Sequence, residues 1–340
     1  LYSTGLATTW EVDLFGRLRR SVESADAELA ASVEDYRDLL VVLYAEVATN
    51  YIDVRSLQQR ILSAERNVAS QKDTLELVRV RNRVGLVGDL DLRQAELNVS
   101  RTASTIPALR EALAAAVNRT AVLLGEYPSQ LHTELREPAP IPRPEAEVAV
   151  GLPTELLRQR PDLRAAEGQL AAQSARIGVA TADLYPRLAL LGSFSFDAVS
   201  TASWFTSGAQ AWNIGPQLRW NLFDGGRIRS NVRAQEALTR QALARYEQTV
   251  LLAVEEVENS LAGYAEERAR AEELQRGVTA AQQTVELVQV LYRTGLVDFL
   301  NVLDAERSLF EAQDQLLESE GRVAKNLVRV YRALGGGWTP

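Results

Sequence analysis

Few residues in this 340-residue chain are equipped for reaction chemistry: it has no Cys, no Met and a single His, His132. Without Cys there is no thiol nucleophile, disulfide frame, Cys-ligated zinc or iron–sulfur cluster. One His cannot supply a multi-histidine metal site, and His132 reads as a surface residue of a connector. Gly225-Gly226 is followed by Arg-Ile-Arg rather than Lys-Ser/Thr, so it makes no phosphate loop. Asp and Glu recur along the chain without a cleft-like constellation and read as solvated helix faces. The pattern that stands out is a turn that occurs twice, Gly85-Leu86-Val87 and Gly295-Leu296-Val297. Apolar residues exposed at such a turn suit the binding of a partner. The expectation is a protein that is no enzyme and holds neither cofactor nor metal.

The elements that carry the two turns follow from where helix breakers are missing. Pro is absent before Pro107 and between Pro216 and Pro340, and Gly is absent from Arg17 through Val84. Within that stretch Leu29, Val33, Tyr36, Leu40, Leu43 and Val47 recur at spacings of four and three, which is a heptad seam. The seam continues through Tyr51, Val54, Leu57, Ile61, Ala64 and Val68. A helix over 17–84 would be about 100 Å long at 1.5 Å per residue. Globular domains do not bury such a helix, so it has to run beside other long helices.

A second long helix is expected over 227–294, with the seam Leu243, Tyr246, Val250, Val254, Val257, Leu261 and Tyr264. Residues 74–96 match 284–306 with 12 identities in 23 positions, at an offset of 210. The offset holds at Tyr36/Tyr246, Glu46/Glu256 and Leu124-Gly125/Leu334-Gly335. The chain is therefore a duplication of strand, long helix, tight Gly turn and shorter return helix. The return helices, about 89–124 and 298–334, end before Gly125 and Gly335.

Period-two stretches precede the long helices. In 212–222, Trp212, Ile214, Pro216, Leu218, Trp220 and Leu222 alternate with Asn213, Gly215, Gln217, Arg219 and Asn221. In 2–14, Tyr2, Leu6, Trp10, Val12 and Leu14 alternate with Ser3, Gly5, Thr9, Glu11 and Asp13; in 187–197, Leu188, Leu190, Phe194 and Phe196 alternate with Arg187, Ser193, Ser195 and Asp197. Each stretch has about the 9–11 residues of a tilted strand that spans a bilayer, with Trp near the ends. The expected lipid-facing residues are Trp10, Val12, Leu188, Leu190, Trp212, Ile214, Leu218 and Trp220. A half-buried strand of a soluble sheet carries the same alternation. Counting favours the membrane: by the repeat, a helix and a strand belong before Leu1, so one protomer would hold four strands. Four strands cannot close a barrel, and open edges are forbidden in lipid. Three copies would give twelve.

The remaining segments are bounded by composition. Residues 125–152 carry Glu137-Pro-Ala-Pro-Ile-Pro-Arg-Pro144 and read as an extended connector. A helix over 153–184 starts at Pro153-Thr154 and resets at Pro161. The chain thus reads as a strand over 1–16, helices over 17–124, the connector, that helix, strands and a loop over 185–226, helices over 227–334 and a tail over 335–340. A net charge of −8 and a pI near 5.1 argue against broad nucleic-acid binding. No apolar run approaches the ~20 residues of a transmembrane helix.

Four segments carry a family resemblance: Leu152-Pro-Thr-Glu-Leu-Leu-Arg-Gln-Arg-Pro-Asp-Leu-Arg-Ala-Ala-Glu167, Ile177-Gly-Val-Ala-Thr-Ala-Asp-Leu-Tyr-Pro186, Trp220-Asn-Leu-Phe-Asp-Gly-Gly-Arg227 and Tyr292-Arg-Thr-Gly-Leu-Val-Asp-Phe-Leu-Asn-Val-Leu-Asp-Ala-Glu-Arg307. With the duplication and strands, the chain resembles the TolC/OprM-like outer-membrane factors, NodT branch, the outer-membrane channels of bacterial tripartite efflux pumps. The resemblance covers essentially all 340 residues. It implies a mainly α fold with β strands: long antiparallel coiled-coil helices forming a periplasmic α-barrel, and a trimeric 12-stranded β-barrel in the outer membrane of a Gram-negative bacterium. It makes the connector part of an equatorial belt.

The implied partners are two further copies in a homotrimer, a periplasmic adaptor protein, an inner-membrane transporter and outer-membrane lipid. By the same resemblance Leu300 and Asp304 match the constriction of a periplasmic gate, and Tyr292, Arg293 and Asp91 match positions that hold neighbouring helix pairs shut. Asn301 stands where one relative has an acidic ring. Gly85, Leu86, Val87, Gly295, Leu296 and Val297 form the tip that meets the adaptor. Many relatives are lipoproteins with an N-terminal Cys; these 340 residues contain no Cys, and by the repeat they begin downstream of where one would stand, so they leave lipidation open. The competing reading is a soluble coiled-coil scaffold or a periplasmic adaptor, for which three amphipathic strands of spanning length have no use.

Overall fold

The computed structural model describes residues 2–143 and 159–336. The expected helix start at Pro153-Thr154, the connector beyond Arg143 and the tail at 337–340 lie outside the described residues. In chain order the elements are β1 (Tyr2–Val12), α1 (Arg17–Arg83), α2 (Asp89–Leu124), α3 (Pro128–Glu134), α4 (Pro161–Ala182), β2 (Arg187–Ala198), β3 (Gln210–Arg219), α5 (Arg227–Arg293) and α6 (Phe299–Ala333). Both long helices have 67 residues and start 210 positions apart, as the duplication requires. The chain divides into two compact units, 1–38 with 158–252, and 39–157 with 253–340.

The first unit holds an antiparallel sheet in the order β1-β2-β3. Its register places Val12, Leu188 and Leu218 side by side, then Trp10, Leu190 and Pro216, then Leu6, Phe194 and Trp212. Ile214 stands opposite Gly192 in the same parity. Directly opposed residues share a face, so the seven expected lipid-facing residues within the strands line one apolar face, and Trp212 is 76% exposed on it. The other face carries Ser3 opposite Asp197, and Ala7, Ser193 and Asn213 in a row. Trp220 falls just past β3, and its indole N–H donates to the Leu184 carbonyl at 3.1 Å. Aromatic pairs sit at both ends of the sheet: Phe15 stacks on Tyr185 at 4.6 Å, and Tyr2 meets Trp204 at 5.5 Å.

Each long helix starts where a carboxylate can accept its free N–H groups. Asp13 accepts from Leu18 and Arg19 at 3.1 and 2.9 Å, while Asp224 accepts from Gly226 and Ile228 at 2.9 and 2.7 Å. The helix N-terminus is the positive end of its dipole, so an acidic acceptor is stabilised there. Those backbone donors hold the Asp224 carboxyl below its ordinary pKa.

The second unit packs two helical hairpins, α1/α2 and α5/α6. The connector differs from the extended reading, because Pro128–Glu134 is a helix. Pro128 is favoured at a first helical position, and Leu131 docks on Val54, Val117 and Ala121. This short-range sequence signal is outweighed elsewhere in the connector by Pro138, Pro140 and Pro142, which supply no N–H donors. The following carbonyls are met from α1: Gln58 donates to Leu135 at 2.6 Å, Arg55 to Glu137 at 2.9 Å and Gln59 to Ala139 at 2.8 Å.

The two repeats are stapled to each other by polar contacts. Arg60 grips Asp314 with two bonds of 2.7 and 2.9 Å, Lys325 reaches Asp53 at 2.6 Å, and Asn67 donates to Gln313 at 2.7 Å. Burial pulls the Arg60 guanidinium pKa down, but Asp314 outweighs it and the net direction is up. Removing one member of a half-buried pair leaves the other charge desolvated. We expect Arg60→Ala to cost about 1.5–3 kcal/mol, the worth of hydrogen bonds to a charged group, read as a lowered melting temperature in detergent. A matching loss from Asp314→Ala, with no further loss in the double variant, identifies the pair as the cause.

Candidate functional site

Both Gly turns close with one hydrogen-bond pattern. Gly85 N–H donates to the Asn82 carbonyl at 3.0 Å and Leu86 N–H to Arg81 at 2.9 Å; Gly295 and Leu296 repeat this onto Tyr292 and Leu291 at 3.0 and 2.9 Å. The pattern needs a left-handed residue after the helix, and Gly85 and Gly295 take φ of +75° and +78°. Leu86 and Leu296 are each 72% exposed. Val87 and Val297 differ from the expected contact surface: they are half-buried against Leu75, Val78, Ala95, Tyr292, Phe299 and Val302. The apolar surface that the turns offer is therefore Leu86 and Leu296.

Beneath the turns, Arg81 joins the repeats. Its guanidinium donates to the carbonyls of Tyr292 and Arg293 at 2.9 and 2.7 Å and lies 4.5 Å from the centre of the Tyr292 ring. It thus satisfies two of the carbonyls that a helix end leaves without partners. Burial, and more weakly the charge of Asp91, push the Tyr292 phenol above its ordinary pKa against the pull of Arg81. Arg293 is exposed, and among the described ion pairs none joins it to Asp91. The arginine that ties these helices within one chain is Arg81, which the sequence signals only as a basic residue in the last helical turn.

Leu300 and Asp304 lie four residues apart on α6 and so share a face. Leu300 is exposed, and Asp304 makes a loose 3.8 Å pair with Arg307. Such exposed pairs are worth ~0–1 kcal/mol, which leaves the carboxylate open to solvent and ions. Asn301 is exposed beside them. The opposite face of α6 buries Phe299, Val302, Ala305 and Glu306.

Glu306 is the buried acid of this region, 5% exposed. Thr74 of α1 donates to it at 2.6 Å and Asn98 of α2 at 3.2 Å, and Gln289 of α5 adds a third bond. Desolvation pushes its pKa up, and the three donors oppose this without cancelling it. The charged neighbours in sequence are exposed: Lys72, Asp73 and Glu76 on α1, Arg101 on α2, Glu286 on α5, and Asp304, Arg307 and Glu311 on α6. Gln71, one turn from Thr74, is also buried, with neither side-chain N nor O partnered. The sequence does not single out Glu306, because its repeat counterpart Glu96 is the same residue type in a matching segment. Among the described residues no group of three or more His, Asp or Glu is placed to hold a metal ion.

The family model described as "Outer membrane efflux protein" matches residues 1–126 and 152–336. Nodulation protein T of Rhizobium leguminosarum bv. trifolii is 32% identical over 99% of this chain and 72% of its own. The toluene efflux pump outer membrane protein TtgI of Pseudomonas putida is 33% identical, again over 99% of this chain and 72% of its own. Among solved structures, the outer-membrane channel OprN superposes with a TM-score of 0.93 at 39% identity, over 99% of this chain and 75% of that one. CusC follows at a TM-score of 0.90 and 30% identity, over 98% and 78%.

The raised pKa of Glu306 fixes the sign of a pH effect. A carboxyl whose folded pKa lies above its unfolded value contributes stability that is complete below the unfolded pKa and is lost as pH rises through the folded one. The wild-type melting temperature should therefore fall, relative to Glu306→Gln, as pH rises from the ordinary carboxyl range through that raised value. Parallel profiles for the two proteins across this window would show that Glu306 is held charged.

Proposed function

We infer that this chain, which belongs to the outer membrane efflux protein family, is an outer-membrane channel component of an efflux pump, a passive duct that conducts small molecules out of the cell. The observation that carries the reading is the apolar sheet face running from Val12 to Trp212, which no part of the described chain covers. Aromatic residues at both sheet ends suit the two interfaces of a bilayer. A soluble scaffold would leave this face against water.

Two open sheet edges cannot stand in lipid, so further copies have to complete a barrel. A homotrimer with four strands per protomer meets that need with twelve. The duct is powered from elsewhere: an inner-membrane transporter supplies energy, and a periplasmic adaptor engages the Gly turns through Leu86 and Leu296. Leu300 and Asp304, repeated around the axis, form an apolar and an acidic ring that close the periplasmic end and favour cations, as charged rings do in channels. Tyr292, Arg293 and Asp91 hold neighbouring helix pairs together in the resting state.

Planar bilayers test both the duct and its gate. The purified full-length protein should insert with a low, stepwise resting conductance. Asp304→Ala should raise that conductance and weaken cation preference, and Arg293→Ala should raise it as well. Conductance unchanged in both variants would remove these residues from the gate. Failure of the wild type to conduct, even after adaptor is added, would sink the channel reading.

A further inference from the structure

The four charged residues inside the strands, Glu11, Arg187, Asp197 and Arg219, all have the parity of the polar sheet face. They are not spread evenly along it. Asp197 stands at one end, where the hydroxyls of Ser3 and Ser195 donate to it at 2.5 and 2.9 Å. The other three gather where the strands join the helices. Arg187 is directly opposite Arg219, and Glu11 lies in the adjacent row of the same face with Ala189 and Gln217. The rows between the two ends are uncharged, from Thr9, Leu191 and Gly215 to Gly5, Ser195 and Ala211.

Like charges placed directly opposite each other weaken a sheet, and the chain relieves only one member of this pair. Asp183, just past α4, accepts from Arg187 at 2.5 Å. The remaining carboxylates at this end already have their donors. Glu11 takes two bonds from Arg17, at 2.9 and 2.8 Å. Asp13 and Asp224 hold the N–H groups that start α1 and α5, and Asp13 also meets the Arg19 guanidinium at 3.2 Å. Among the described residues no carboxylate pairs with Arg219, which is exposed.

We propose that Arg219, repeated in every copy, forms a basic collar in the lumen where the strands meet the helices, and that this collar binds molecules carrying several phosphate, sulfonate or carboxylate groups as they pass. The proposal rests on the channel inferred above: where the apolar sheet face takes lipid, the polar face lines the lumen. A charge set in a passage with low-dielectric walls acts over more of that passage than it would on an open surface, and the uncharged rows beside Arg219 do nothing to cancel it. One exposed arginine holds a singly charged ion weakly. An anion with several charged groups can engage Arg219 and Arg187 together, because directly opposed side chains start only about 5 Å apart. The sign is opposite to that of Asp304, so the collar acts on the anionic groups of a cargo and the acidic ring on its cationic ones.

Block of single channels tests the collar. The full-length protein carrying Asp304→Ala, which removes the acidic ring, is inserted into planar bilayers and titrated with inorganic tripolyphosphate. The current should be blocked, and high salt should relieve the block. Adding Arg219→Gln should weaken the block by about tenfold, the worth of a few exposed ion pairs, whereas adding Arg219→Lys should keep most of it. Conducting channels in both variants show that the fold is intact. Equal block with Arg219 and with Gln overturns the collar and leaves the channel reading standing, which is also the result if a carboxylate of a neighbouring copy neutralises Arg219. Block lost equally in the Lys and Gln variants overturns a collar that acts through charge. A protein that conducts in none of these forms overturns the channel reading and the collar with it.

Discussion

A 67-residue helix carries more apolar seam than its own hairpin partner can cover. In the second unit α1 meets α2 on one side, while Ile52 packs on Ile141 and Ala324 and Thr74 bonds Glu306, so its buried surface extends beyond what that hairpin reaches. The counterparts of these two residues on α5 are Ala262 and Thr284, both exposed. Identical helix lengths therefore end in different degrees of burial. The sheet has the same shortage in another form: among the described residues its apolar face has no cover and its edges have no partners. In the proposed channel both shortages are met from outside the single chain, the first by another copy and the second by lipid and by neighbouring strands.

Much of this was legible in the sequence because the periods are strong. Alternation of two placed Trp10, Leu190 and Trp212 on one sheet face, and the heptads with the Gly-free stretch set α1 to within a residue of its observed end at Arg83. What escaped was decided by tertiary contact. Proline density concealed α3, which exists because Leu131 has a hollow to fill between α1 and α2. Arg81 is one of several arginines near the turn, and only the approach of the α5 carboxyl terminus selects it. Trp220 keeps the parity of a strand but has left it, since the chain must already turn toward the Asp224 cap.

Glu96 and Glu306 show why a repeat cannot be read as two equal halves. They occupy the same place in matching segments, yet Glu96 is set among arginines at the surface and Glu306 is enclosed by three helices. A buried polar cluster, with Gln71 unpartnered beside it, costs stability that an apolar seam would not. Its return is register: only one axial position of α6 brings Glu306 to Thr74 and Asn98 together. Because Leu300 and Asp304 lie on the reverse of that helix, the same bonds fix the direction in which they face.

A passive duct has no reaction to drive its own opening, so the work of opening is bounded by what a partner can supply on binding. Interfaces held by several desolvated ion pairs resist separation, since parting them strands charges that water reaches only late. Contacts between small side chains give way with little loss of that kind, because few of their groups were desolvated in favour of specific partners. A duplicated chain can hold both kinds of seam at once. Ion pairs such as Arg60–Asp314 tie the repeats of one chain together, whereas the residues 210 positions away, Arg270 and Ser104, cannot form the same pair. In the proposed channel, opening would take the form of motion between rigid bodies, as packed cores require, being bistable rather than continuously deformable.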